Sequence, residues 1–437
     1  IWRVLVSTCG DCDILSNTIN AITLTLLRSV AYMEHICLSM QGSDNNDVKM
    51  PPTELFDVYL DALLATIRHP SQAMNRITLP VWTAFFKHKE ISEMDAIKSA
   101  VPKLLKLATD KFVKAGYPSK NDHPSCSYSR LDCDSDEEFN VLFSAFRRDL
   151  SDMVRSATLL NPIAGFQMAC QWLQTLMATK IDAGDASENG ICVSTSPSSV
   201  WWEALVQFMD GVFGKILTSP HPKPSVEEGI YLLEDVLRFN PPDPTIQSYA
   251  LSCISSLCIF LTLAPGSLPL VLDKIFFCAV YKMPGEKTGK VQSRASRMLR
   301  RHAVAALVAL SRLYPKVLMP CFEQICATTK RLSEETNEMS HMERITATEA
   351  MVLLSNERKD YKCQADFIVE VETPLVSVLS SPELEQALLS PEAFMSFIGM
   401  TEYPRDEAQD EEQGLHRSQV LVSLTRPKGT PGHVTKY

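Results

Sequence analysis

The sequence predicts an all-α chain, a HEAT-like helical-repeat solenoid in which antiparallel helix pairs stack into a superhelix. Three observations point there. Glycine is scarce, 16 of 437 residues, and neither it nor the 26 prolines gather in the two-residue pairs that turn β-hairpins. Apolar residues recur at helical spacing from end to end, in segments divided by short breaks of Pro, Gly, Ser or Asn. Taken two at a time, the segments repeat every ~40 to 55 residues, the pitch of HEAT or armadillo hairpins, which stack because one pair alone cannot bury its apolar face.

In chain order the helical segments are expected at residues 14 to 40, 53 to 69, 71 to 88, 93 to 115, 136 to 160, 162 to 181, 198 to 218, 225 to 239, 245 to 263, 268 to 282, 288 to 313, 316 to 334, 338 to 357, 360 to 380 and 382 to 399. Start signals mark several of them. Thr53 follows Pro51-Pro52, Ser71 follows Pro70, Asn161 precedes Pro162, and Ser225 to Glu228 spells a capping box. The longer breaks at 41 to 52, 116 to 135 and 182 to 199 are polar, as surface loops between repeats are. Residues 1 to 400 are thus expected to form one solenoid segment. From 401 to 437 charge, Pro and Gly mix without helical period, and a disordered or aberrant tail is the expectation. Residue 1 is Ile and helical period is under way by Ile14, the pattern of an internal piece of a longer protein.

Thirteen cysteines, an odd count scattered over helical segments, and the lack of any Asn-x-Ser/Thr sequon favour a reducing, intracellular compartment. The most membrane-like stretch, Tyr249 to Ala264, stops at Pro265-Gly266, short of the ~20 apolar residues that a span needs. A buried helix pair is expected there rather than membrane insertion.

Catalytic classes fall away in turn. "PGEKTGK" lacks the gap and the Lys-Ser/Thr of a phosphate loop, and no Gly-rich fingerprint, His-Glu-x-x-His pattern or Gly-x-Ser-x-Gly elbow occurs. No enzyme, cofactor or metal is therefore expected. "CGDC", Cys9 to Cys12, has the spacing of a redox pair or half a zinc site, but no second Cys or His pair stands at ligand distance. Cys321 and Cys326 read as small core residues; Trp201-Trp202, which could stack on a base, read as core beside Val200, Leu205 and Phe208. Asp132 to Glu138 places five carboxylates at a helix start, where they suit the helix dipole; the other reading is an acidic loop that meets a basic partner or lies beside a nucleic-acid path and repels wrong ligands.

One segment stands out. The chain carries formal net charge −10, yet between Lys282 and Arg301 there are seven Lys or Arg against one acid, Glu286. On a helix at about 100° per residue, Lys290, Arg294, Arg297 and Arg301 fall within roughly 60° of one another, and Arg312 returns to the same face. Leu299, Ala303, Ala306, Leu307 and Leu310 lie opposite. A merely solvated face interleaves signs. This one is expected to bind an anion, with phosphate backbone the natural ligand, because guanidinium groups meet phosphate bidentately.

The strings "GYPSKNDHPSCSYSRLDCDSDEEFN", "FQMACQWL", "RASRMLRRHA" and "MERITATEAMVLLSN" fall in order between about residue 50 and about residue 400. They resemble the middle portion of the exportin-five family of karyopherins, and beyond Met400 the resemblance stops. It implies a nuclear export receptor of HEAT repeats that shuttles between nucleus and cytoplasm and engages nuclear pore proteins. It also implies binding of Ran-GTP, mainly through regions upstream of this chain, and of pre-microRNA and other structured double-stranded RNA with a short 3′ overhang. By the same resemblance Arg301 stands near the overhang with Ser340 and His341, which replace a Thr-Gln pair, and Arg147 in "SAFRRD" faces the stem. The expected RNA-binding set is Arg301, Arg297, Arg294, Lys290, Arg300, Ser340, His341 and Arg147. A protein-protein scaffold, or an import-type karyopherin docking acidic segments on the same basic face, is the competing reading.

Overall fold

The computed structural model describes residues 53–185, 190–283, 293–335 and 338–398. Every regular element among them is helical, and the chain divides between Leu232 and Leu233 into two compact units.

The first unit runs through α1 (Thr53–Arg68), α2 (Gln72–Lys87), α3 (Asp95–Phe112), α4 (Pro124–Asp132), α5 (Asp136–Leu160), α6 (Pro162–Ala178) and α7 (Pro197–Phe213). Short polar side chains start them. Ser71 accepts from the Met74 N–H at 3.2 Å ahead of α2, and Ser135 accepts from the Glu138 N–H at 3.1 Å ahead of α5. Each supplies an acceptor for a donor that a helix N-terminus leaves unbonded. Asn161 alone separates α5 from α6: it accepts from the Ala164 N–H at 3.0 Å, and Pro162, with no N–H to lose, takes the first helical position. So short a turn folds the two helices back on each other. The core lies where α2 and α3 meet α5, and where α3, α5 and α6 meet α7. Trp82, Phe112, Phe139, Phe146, Leu150 and Phe208 are buried there, each worth about 1.5–3 kcal/mol of apolar transfer.

The break expected at 116 to 135 contains a helix, α4. The His123 ring accepts from the Ser125 N–H at 3.2 Å and Pro124 takes the first helical position. Ser129 then donates to Gln72 Oε1, and Ser71 to Asp132 Oδ2, both at 3.2 Å, fixing α4 to the start of α2. Its buried face is Ser125, Cys126 and Ser129, too polar for apolar periodicity to reveal it.

The capping box expected at Ser225 is present. Its N–H donates to Glu228 Oε2 at 3.0 Å and its hydroxyl accepts from the Glu228 N–H at 3.1 Å, starting α8 (Val226–Arg238). The second unit continues through α9 (Pro244–Leu257), α10 (Leu268–Ala279), α11 (Arg294–Leu313), α12 (Pro315–Leu318), α13 (Phe322–Lys330), α14 (His341–Ser355), α15 (Tyr361–Leu379), α16 (Pro382–Ala387) and α17 (Pro391–Phe397). Its hub is α11, which packs on α9, α10 and α14 through Leu299, Ala303, Leu307 and Leu310, all buried. The stretch Pro244–Thr262 is long and apolar enough by composition to cross a membrane; Ile246, Ala250, Leu251, Ile254, Leu257 and Phe260 within it are buried against protein.

Proline divides what periodicity alone joins. The segment expected at 316 to 334 is α12, a 3-10 turn over Met319–Cys321 that contains Pro320, α13, and a π-turn over Arg331–Glu335. Residues 382 to 399 likewise hold α16 and α17, each opened by a Ser-Pro pair whose serine, Ser381 or Ser390, caps the helix.

Candidate nucleic-acid interface

Ser293 starts α11 by accepting from the Ser296 N–H at 3.1 Å. From there the helix presents Arg294, Arg297, Arg301 and Arg312 to solvent while Leu299, Ala303, Ala306, Leu307 and Leu310 are buried. Arg312 is neutralised: it pairs with Glu349 of α14 at 2.7 Å. Arg294, Arg297 and Arg301 make no ion pair among the described residues. No acid occupies the first turn of α11. Cations there face the positive end of the helix dipole, the arrangement that helix stability disfavours.

Arg300 does not belong to that stripe, which corrects its expected place in the RNA-binding set. Its side chain is 1% exposed and turned toward α14, where Nε donates to Glu343 Oε1 at 2.8 Å and Nη2 to Glu343 Oε2 at 2.6 Å. Nη2 also donates to the Glu338 carbonyl at 2.6 Å. Nη1, the nitrogen left without a hydrogen-bond partner, is buried as well, so no part of the guanidinium is open to a phosphate from solvent.

Ser340 is exposed, but it is also the cap of α14: it accepts from the Glu343 N–H at 3.4 Å and its own N–H donates to Glu343 Oε2 at 2.7 Å. His341 is the first residue of α14. Because Arg300 reaches both Glu343 and Glu338, this helix start stands beside the turn of α11 that carries Arg301. Lys290 and the string "PGEKTGK" lie outside the described residues, as do "CGDC", the segment expected at 14 to 40 and the tail from 401.

Arg147 is the second correction. Its Nε and Nη2 donate to the Phe112 carbonyl at 2.9 and 2.7 Å, Nη1 pairs with Glu203 at 3.0 Å, and the guanidinium lies 4.6 Å from the centre of the Phe143 ring. With 12% of the side chain exposed, it ties the end of α3 to α5 and α7 instead of facing a stem.

The remaining candidates take structural places. Asp136, Glu137 and Glu138 fill the first turn of α5 behind the Ser135 cap, and Asp136 accepts from both the N–H and the hydroxyl of Ser119. Those hydrogen bonds hold its carboxyl below the usual range. Trp202 is buried as expected, whereas Trp201 is exposed and meets Trp172 edge-on at 6.4 Å. Cys321 and Cys326 are half-buried rather than core, and burial pushes the Cys326 thiol up to about 12, far from reactive. Among the described residues no group of Cys, His, Asp or Glu could hold a metal.

A family model described as Exportin-5 family matches residues 29–422. The chain belongs to the Exportin-5 family. Mouse Exportin-5 is 35% identical over 374 residues, 84% of this chain and 31% of its own length. Human Exportin-5 is 34% identical over 391 residues, 87% of this chain and 32% of its own. The chain thus spans about a third of the length of these relatives. Among solved structures, the karyopherin Kap121p bound to the extreme C-terminus of the protein phosphatase Cdc14p is similar over 87% of this chain and 33% of its own, with TM-score 0.46 and 14% identity. The family match also runs to residue 422, past Met400, the expected end of the resemblance.

In this Exportin-5 family member the basic string "RASRMLRRHA" therefore mixes two roles, three outward arginines and one inward. Sequence reasoning missed Glu343 and Glu338 as partners of Arg300. Two signals were there to find: Ser340 to Glu343 spells a capping box as plainly as Ser225 to Glu228 does, and Arg300 falls roughly 90° off the stripe on a helical wheel.

Proposed function

We propose that this chain is the RNA-bearing segment of a nuclear export receptor, a shuttling, non-enzymatic carrier of pre-microRNA and other structured double-stranded RNA. The observation that carries the reading is the trio Arg294, Arg297 and Arg301, exposed on one helix face and unpaired among the described residues. A-form RNA keeps its bases in a deep groove that side chains cannot read, so a carrier grips phosphates and stem shape. Three guanidinium groups over two turns suit that task. Arg294 and Arg297 serve as stem contacts, and Arg301, with Ser340 and His341 beside it, as the contact near a 3′ overhang. Family membership extends the reading to Ran-GTP, held mainly by parts of the receptor outside this chain, and to nuclear pore proteins.

Fluorescence anisotropy with a hairpin RNA and with an acidic peptide tests this. The chain is expected to bind the hairpin with a steep salt dependence, losing roughly 0.7–0.9 of slope for each arginine changed to Gln. Preference for the acidic peptide, or equal hairpin binding after all three changes, would sink the RNA reading. Ran-GTP retention by this chain alone is expected to be weak, because the family's main Ran-binding surface lies upstream of it, and RNA binding is then not strongly switched by Ran, since linkage needs both ligands on one array; tight, GTP-specific retention contradicts that.

A further inference from the structure

Resting on the RNA reading above, we propose that Arg300 is the positioning residue of the interface: through Glu343 it fixes the N-terminus of α14 against the arginine-bearing turn of α11. One carboxylate does the joining. Glu343 takes both prongs of Arg300 at 2.8 and 2.6 Å, and the same Oε2 accepts the Ser340 N–H at 2.7 Å. Arg300 also holds the Glu338 carbonyl at 2.6 Å, while Lys282, just beyond α10, reaches the Glu338 carboxylate at 3.7 Å. The second turn of α11, the segment after α10 and the start of α14 therefore converge on this node, and the residue next to Arg300 is Arg301, pointing outward.

A planar guanidinium bound bidentately sets angle as well as distance, which a lysine ammonium does not. Burying two charges is a poor way to gain stability against an apolar pair of similar size, and the best-attested use of such pairs is to set registry. Here the registry is between Arg301 on α11 and Ser340 at the start of α14. Arg300 never touches RNA, yet it decides whether those two residues can meet one strand end together.

The experiment compares a hairpin carrying a 3′ overhang with the same hairpin cut blunt, by anisotropy across a salt series on the full chain. Two variants are used. The double variant R300Q/E343Q removes both charges at once and leaves Gln at the third helical position, where it still completes the capping box. Arg300→Lys keeps the charge without the fork, and covers the case in which the double variant does not fold. Circular dichroism melts establish which variants are folded. The expected result is loss of the overhang preference in both, with blunt-hairpin affinity and salt slope kept. A purely structural role shifts the melt and leaves the ratio of the two affinities unchanged; that ratio, retained in a folded variant, overturns the proposal. A wild-type chain without overhang preference overturns it as well. If the wild-type chain binds neither hairpin, the RNA reading itself falls and takes the positioning role with it.

Discussion

Arg300 of α11 and Glu343 of α14 form a buried two-pronged ion pair, their side chains 1% and 4% exposed. One helix thus keeps three arginines exposed and unpaired among the described residues, while Arg312 at its far end and the buried Arg300 both pair with its neighbour. Breaking the pair from one side strands a charge in the core. Arg300→Met is expected to cost about 3–5 kcal/mol, because Glu343 stays buried without its partner. Adding Glu343→Leu to Arg300→Met is expected to recover most of that loss. Urea unfolding of the two variants decides it: a double variant no more stable than the single one contradicts the argument.

A second prediction concerns Arg147, whose role repeats along the chain. Lys111 of α3 donates to the His69 carbonyl just after α1 at 2.6 Å, and Arg147 of α5 to the Phe112 carbonyl at the end of α3. Lys274 of α10 donates to the Phe239 carbonyl just after α8 at 2.9 Å. Each cation satisfies a carbonyl at the C-terminal end of the helix two before its own, where a helix leaves acceptors unbonded and carries partial negative charge. Arg147→Gln should therefore lower stability by about 2 kcal/mol, the scale of a charged hydrogen bond, and leave the salt slope of RNA binding where it was. A reduced slope would restore Arg147 to the stem.

These cations show where reading the sequence succeeds and where it stops. Helix existence was legible, since the caps at Ser71, Asn161 and Ser225 stand where the local pattern puts them. The inward side of α11 was legible too, because apolar periodicity is a one-helix property and Leu299, Ala303, Leu307 and Leu310 keep it. Arginine is ambiguous in a way leucine is not: its stem packs and its head can face either water or a carboxylate. Whether Arg300 or Arg301 faces solvent depends on a glutamate more than 40 residues away, and Arg147 depends on a carbonyl 35 residues back. Such partners belong to tertiary structure: the helical wheel sets Arg300 off the stripe and the capping box marks Glu343, but neither local pattern pairs the two. Helix α4 escaped for the opposite reason, its buried face being mostly serine.

Lys111 gives a prediction at alkaline pH. Burial lowers its amine from 10.5 to about 8, against a smaller opposing pull from Asp110. The folded chain holds this proton less firmly than the unfolded chain does. Between about 8 and 10.5 the unfolded state binds more protons, so stability rises with pH in that window. The urea midpoint of the wild-type chain should climb there relative to Lys111→Met. Parallel curves for the two proteins would show that the lysine does not titrate in the folded state as described.

His302 sits one residue from Arg301 but on the inner side of the same helix, with Nε2 2.9 Å from the Ser252 hydroxyl of α9. Burial lowers its imidazole below the ordinary 6.5, disfavouring the charged ring in the folded chain. The sign follows from which state takes the proton first. As pH falls through 6.5 the unfolded state protonates ahead of the folded one, and stability that is complete above 6.5 is lost on the way down to the folded value. His69 in the first unit is lowered as well, chiefly by burial and then by Lys111, and acts in the same direction. The two are separated by substitution. His302→Gln removes this titration while keeping a side chain able to bond Ser252, so its loss of stability between about pH 7.5 and pH 5.5 should be shallower than that of the wild-type chain. Thermal melts at the two pH values measure the difference, and an identical loss in both proteins would place the acid sensitivity elsewhere. Because the ring faces α9 and not the arginine stripe, His302→Gln should leave the affinity for hairpin RNA at a fixed salt concentration equal to that of the wild-type chain at each pH over the same range, for as long as both remain folded.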